Sequence, residues 1–104
     1  MNIGSAIQLA RNKRKLSQAD LAKRADISVS YLSLLERSKR DPPISTIKRI
    51  SNSLGVPVEI LFFLGAESGE LKGLNPELAG QLAYAALELL NEPESDPAQT
   101  KLPL

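Results

Sequence analysis

The chemistry open to this chain is narrowed first by two residue types it lacks. Its 104 residues include no Cys and no His. That removes thiolate nucleophiles, disulfides, Cys-type zinc or iron–sulfur centres, and every Ser–His or Cys–His nucleophile pair. Carboxylate and Ser–Lys chemistry survive on composition alone. The Ser residues, however, read as helix caps (Ser17, Ser28) or as an outward helix face (Ser30, Ser33), and the acids as caps, turns or solvated positions. Neither set gathers a nucleophile with a base, so no enzyme activity, cofactor or metal is expected. What remains is recognition of an anion by Lys, Arg, amide and hydroxyl groups.

The charge distribution points the same way. Residues 1–64 hold eleven Lys and Arg against five acids, a net of +6, and residues 65–104 hold two against seven, a net of −5. The overall +1 therefore conceals a basic part followed by an acidic one, and only the first suits an anionic partner. The apolar stretch Ile60 to Leu64, like every other in the chain, is far short of the roughly 20 residues a membrane span needs. The opening Met-Asn-Ile-Gly-Ser lacks the basic-then-apolar build of a signal peptide. With no Cys, a cytoplasmic setting is expected.

Apolar residues recur at helical spacing throughout, and alternating runs are absent, which predicts an all-α chain. A first helix over about residues 3–14 turns Ile3, Ile7 and Ala10 to one face. Ser17 caps a second helix and Asp20 completes a capping box, with Leu21, Ala22 and Ala25 inside. After a short turn at Asp26-Ile27, Ser28 caps a third helix that buries Leu32 and Leu35 and ends near Ser38. A basic loop, Lys39 to Pro43, puts Pro43 in the first turn of a fourth helix. Ile44, Ile47, Ile50 and Leu54 form its stripe, and Gly55 stops it. A short fifth helix over about residues 57–63 closes a domain spanning residues 1–65. A polar linker, 66–75, then leads to Asn75-Pro76-Glu77, a strong start signal for a helix over 76–92. Residues 93–104, with Pro93, Pro97 and Pro103, are expected to be an irregular acidic tail.

Two helices joined by so short a turn, the second with a polar outer face, describe a helix-turn-helix. Leu16-Ser17-Gln18-Ala19-Asp20-Leu21-Ala22-Lys23-Arg24-Ala25 resembles the second helix of the phage-repressor/Cro-type helix-turn-helix family. Ile27-Ser28-Val29-Ser30-Tyr31-Leu32-Ser33-Leu34-Leu35-Glu36-Arg37 is similar to that family's recognition helix, and Pro42 through Val56 to its fourth helix. The resemblance covers about residues 3–63. It implies a five-helix, lambda-repressor-like DNA-binding domain, here followed by a C-terminal helix. It also implies a phosphate contact for Gln18 and a partly buried ion pair between Arg11 and Glu36. Two positions depart from the family pattern. Asp26 and Ser38 stand where Gly is usual, and each swap could cost up to about 1 kcal/mol if the backbone there is left-handed.

With Leu32 and Leu35 inside, Ser30, Ser33, Leu34 and Arg37 fall on the opposite face, and Val29 lies at its exposed end. Val29, Ser30, Ser33 and Leu34 are the expected base-contacting residues, in the major groove of double-stranded DNA. Two hydroxyls and two apolar chains discriminate bases weakly by hydrogen bonds, but Val29 and Leu34 can pack on thymine methyls. Gln18, Ser28, Tyr31, Arg37, Lys39 and Arg40 are the expected backbone contacts. Lys13, Arg14 and Lys15 suit the end of the first helix without any ligand.

One such domain covers half a site, so a homodimer on a two-fold operator is expected. Leu78, Leu82, Ala85 and Leu89, with Ala86 and Leu90 in a neighbouring row beside Ala79 and Ala83, form the expected dimerisation face. The function expected is a transcriptional regulator, acting as a repressor by occupying its operator. The competing reading is a protein-interaction module, such as the antitoxin of a toxin–antitoxin pair, whose partner binds the acidic C-terminal part.

Overall fold

The computed structural model describes residues 1–67 and 75–91, which form six helices and no strand. They are α1 (Ile3–Lys13), α2 (Gln18–Ala25), α3 (Val29–Glu36), α4 (Ile44–Leu54), α5 (Val58–Gly65) and α6 (Pro76–Asn91). Most of the linker over 66–75 and the whole of the tail over 93–104 lie outside the described residues. None of the described helices is long and apolar enough to cross a membrane.

The helix starts follow local chemistry. The Asn2 side chain accepts from the Ser5 N–H at 3.0 Å, and Ser28 Oγ from the Tyr31 N–H at 3.0 Å. Ser17 and Asp20 make the reciprocal capping box, at 3.0 and 3.1 Å. At α6, Asn75 Oδ1 accepts from the Glu77 N–H at 2.8 Å, which supports the start expected there. Pro43 and Pro57 are extended and stand just before α4 and α5, not within them. Pro43 is thus displaced by one residue from the position expected for it. Helix α3 likewise stops at Glu36, two residues short of Ser38, because Arg37 has already left helical geometry.

Four helix ends close in the same way. The residue after each left-handed position returns its N–H to a carbonyl five residues back: Leu16 to Arg11, Ile27 to Ala22, Lys39 to Leu34 and Val56 to Ser51. The left-handed residues are Lys15 (φ 58), Asp26 (φ 57), Ser38 (φ 59) and Gly55 (φ 72). Asp26 and Ser38 therefore keep the backbone of the glycines they replace. Within the basic run Lys13-Arg14-Lys15, nothing in the sequence marks Lys15 as left-handed. Tight closures shorten the connections and hold α1 to α4 in one cluster.

The core gathers one stripe from each helix: Ile7 and Ala10, Leu21 and Ala25, Leu32 and Leu35, Ile47, Ile50 and Leu54, and Leu61. Ile44 does not join it. Read as part of the α4 stripe, it is exposed, since it stands at the first position of the helix before the chain has turned inward. Helices α1 and α3 approach so closely at Gly4 that an added Cβ would sit 2.2 Å from the Leu35 carbonyl oxygen.

Helix α6 packs on α1 and α5 of the same chain. Its two apolar rows separate there. Ala86 and Leu90 are buried, and Leu90 joins the core cluster. Those two residues, expected at a dimer interface, are consumed inside the chain because the α1–α5 surface is already apolar. The neighbouring row, about 100° round the helix, keeps Leu78 and Leu82 exposed at 44% and 42%, with Ala85 exposed and Leu89 half-buried.

The left-handed positions make a stability test. Lys15→Gly should raise stability by up to about 1 kcal/mol, because glycine takes positive φ without steric cost. Ser38→Gly should gain less, since it gives up the 3.0 Å hydrogen bond from Ser38 Oγ to Asn2 Oδ1. Urea denaturation midpoints measure both, and a destabilised Lys15→Gly protein would contradict the reading.

Candidate nucleic-acid interface

Helix α3 is eight residues long and is set at its angle to α2 by the left-handed Asp26. Burial of Leu32 and Leu35 leaves its other face outward. There Val29, Ser30, Ser33, Leu34 and Arg37 line one shallow groove of about 390 Å³, together with Gln18 from the start of α2. The four residues expected to meet bases and two of those expected to meet phosphates are thus brought together from two helices. Val29 is 45% exposed, Ser30 is exposed, and Ser33 and Leu34 are half-buried.

The long polar side chains stand at the groove's edges, each with an internal hydrogen bond. Arg37 Nε donates to the Ser33 carbonyl at 3.3 Å. Gln18 Nε2 donates to Glu36 Oε1 at 3.0 Å. Between them the lining consists of short hydroxyls and the apolar Val29 and Leu34. Ser28, Tyr31, Lys39 and Arg40 are outside that lining. Ser28 is occupied as a cap, Tyr31 is half-buried against the core, and the Arg40 guanidinium lies 6.0 Å from the Tyr31 ring centroid. Lys39 is exposed just past the left-handed Ser38.

The first turn of α2 opens beside the groove. Its capping box takes the N–H groups of Ser17 and Asp20 and leaves those of Gln18 and Ala19 at the positive end of the helix. Hydrogen bonds from the Ser17 backbone and then the Ser17 side chain hold the Asp20 carboxyl below its ordinary value of 3.8. The cap's contribution is therefore complete above that value and is lost as pH falls through the lowered one.

Behind the groove lies the Arg11–Glu36 pair. Arg11 Nε donates to Glu36 Oε2 at 2.7 Å and Nη2 to Oε1 at 3.0 Å. The two side chains are 11% and 1% exposed. Arg11 Nη1 also reaches the Leu16 carbonyl at 2.8 Å. Two tertiary roles had no sequence signal. Gln18 binds Glu36 as well as facing the groove. Arg14 donates from Nε to the Leu54 carbonyl at 2.9 Å and from Nη2 to the Gly55 carbonyl at 3.2 Å, so its side chain caps α4 while its backbone N–H closes α1 onto the Ala10 carbonyl.

Comparison with known proteins bears on the same segment. A family model described as helix-turn-helix matches residues 7–61, which contain the ion pair, the groove and all of α2 to α4. The chain belongs to the helix-turn-helix family, in its phage-repressor/Cro-type form. Within it, the chain is 38% identical over 61 residues to an immunity repressor protein of Bacillus phage phi105, a match covering 59% of this chain and 42% of that protein. It is 44% identical over 54 residues to an uncharacterized HTH-type transcriptional regulator of Mycobacterium bovis, covering 52% of this chain and 21% of that one. It is 31% identical over 93 residues to the HTH-type transcriptional regulator DdrOP3 of Deinococcus deserti, covering 89% and 67%. The chain thus spans less than half the length of the first two of these helix-turn-helix relatives.

Glu36→Ala should lower stability by about 3–5 kcal/mol, because it leaves the Arg11 guanidinium largely buried without its carboxylate. Thermal unfolding measures this, and an unchanged melting temperature would show that the pair carries no structural weight.

Proposed function

We propose that the chain is a sequence-specific DNA-binding transcriptional regulator that seats α3 in the major groove as a homodimer on a two-fold operator. The observation that carries this reading is the convergence of Gln18, Val29, Ser30, Ser33, Leu34 and Arg37 on one groove. The groove belongs to the part of the chain whose net charge is +6. The printed names of its relatives, a phage repressor and several transcriptional regulators, favour it further. Base contacts come from Val29, Ser30, Ser33 and Leu34. Gln18, the open N–H groups of α2, Ser28, Tyr31, Arg37, Lys39 and Arg40 hold the phosphates. Repression follows from occupancy, as a dimer covering the operator hinders polymerase.

The groove lining sets the kind of readout. Serine hydroxyls accept or donate to either base type, whereas an apolar contact recognises the thymine methyl. Val29 and Leu34 therefore favour thymine in each half-site. Selection from a random DNA pool should return a two-fold motif with thymine-rich half-sites about one helical turn apart. No enriched motif at all would overturn the reading in favour of a protein-interaction module. Replacing a contacted thymine by uracil removes one methyl and should weaken binding about fourfold. An unchanged affinity across the whole half-site would remove Val29 and Leu34 from base recognition.

The second copy docks through the outward row of α6, of which the chain's own core leaves Leu78, Leu82 and Ala85 exposed and Leu89 half-buried. Leu78→Ser with Leu82→Ser changes only exposed positions and spares Ala86 and Leu90. The double variant should remain folded and sediment as a monomer. A dimer that survives it must be joined elsewhere on the chain.

A further inference from the structure

We infer that Glu36 is a positioning residue for DNA contact, acting through Gln18, and not only the structural partner of Arg11. The inference rests on the DNA-binding reading above. Its basis is where the bonds of the ion pair land. Arg11 Nη1 holds the carbonyl of Leu16, the residue just before the Ser17 cap. Glu36 Oε1 holds the carboxamide of Gln18, the residue just after it. One buried pair thus grips the start of α2 on both sides of its capping residue, and ties it to the last residue of α3.

The Gln18 bond is not needed to satisfy the carboxylate. Arg11 already gives Glu36 one donor on each oxygen, at 2.7 and 3.0 Å. The third donor does something else. It fixes a flexible side chain, half-buried at the groove's edge, before any ligand arrives. One Nε2 hydrogen is spent on Glu36, and the second stays available beside the open N–H groups of Gln18 and Ala19. The ordering cost of the side chain is met in folding, so binding a phosphate does not incur it again. Helix α2 then presents backbone and side-chain donors to a single phosphate oxygen cluster, in a geometry set from the far side of α3.

A double-mutant cycle on operator affinity tests this, using the full chain and the DNA recovered by selection. Gln18→Ala should weaken binding about tenfold to a hundredfold, the worth of one charge-assisted hydrogen bond. Glu36→Gln, which keeps the side chain's shape but not its charge, should weaken it by a comparable or smaller factor. The double variant should bind no more weakly than Gln18→Ala alone. Methylphosphonate substitution, which removes one phosphate charge at a time, should weaken wild-type binding at the phosphate facing α2. Both single variants should be less sensitive than the wild type at that phosphate and unchanged at the others. Independent, multiplying losses, or a phosphate footprint that Glu36→Gln leaves unaltered, would reduce Glu36 to a structural role. If Glu36→Gln does not fold, the wild-type protein still decides the matter without DNA. By NMR, the Gln18 side-chain NH2 should be ordered and those of the exposed Gln8 and Gln81 mobile. A Gln18 amide as mobile as theirs would overturn the inference. Failure of the wild type to bind any DNA would instead overturn the reading on which it rests.

Discussion

The Arg11–Glu36 pair is the constraint on which the rest of this structure depends. Removing both charges from water costs on the order of several kcal/mol for each ion. The offset lies in geometry: the carboxylate accepts three donors, and the guanidinium has a further acceptor in the Leu16 carbonyl. Among the described residues no buried side-chain nitrogen or oxygen is left without a partner. The pair joins positions 25 residues apart and holds α1, the start of α2 and the end of α3 in one register. A hydrophobic contact in the same place could supply attraction, but not direction, because apolar packing tolerates small slides.

The groove follows from that register. Eight-residue helices contribute few core residues each, so α2 and α3 rely on neighbours to hold their angle. Left-handed closures at Lys15, Asp26 and Ser38 keep the connections short. Arg14 adds a second long-range tie by bonding the carbonyls at the end of α4, where the helix dipole is negative. Together these let two small hydroxyls and two apolar side chains stand in one lining, with the long cationic and amide groups at its edges.

Much of this was legible in the sequence wherever the physics is local. Ser17 with Asp20 predicts a capping box from three-residue spacing, and Ser28 and Asn75 predict starts in the same way, because a cap needs only its own next turn. Asp26 and Ser38 are marked as candidates for left-handed backbone by the family resemblance, which has glycine at both positions. Lys15 could not, since lysine carries no turn preference and the basic run suggested only a helix end. Ile44 matched the α4 period, yet periodicity says nothing about the first turn, where the face has not yet met its neighbours.

The sequence by itself determined the helices, the caps at Ser17, Ser28 and Asn75, the division into a basic and an acidic part, and which face of α3 points outward. Each depends on spacing along one chain segment. Only the tertiary structure decided which of the two α6 rows is spent inside, that Arg14 caps a helix 40 residues away, and that Gln18 is held by Glu36. The two rows share one spacing, and the row richer in leucine (Leu78, Leu82, Ala85, Leu89) is the one left outward, so hydrophobicity within α6 does not pick the buried row. The choice was made by the shape of α1 and α5, and the reach of Arg14 and Gln18 by which acceptors packing left within about 3 Å of them.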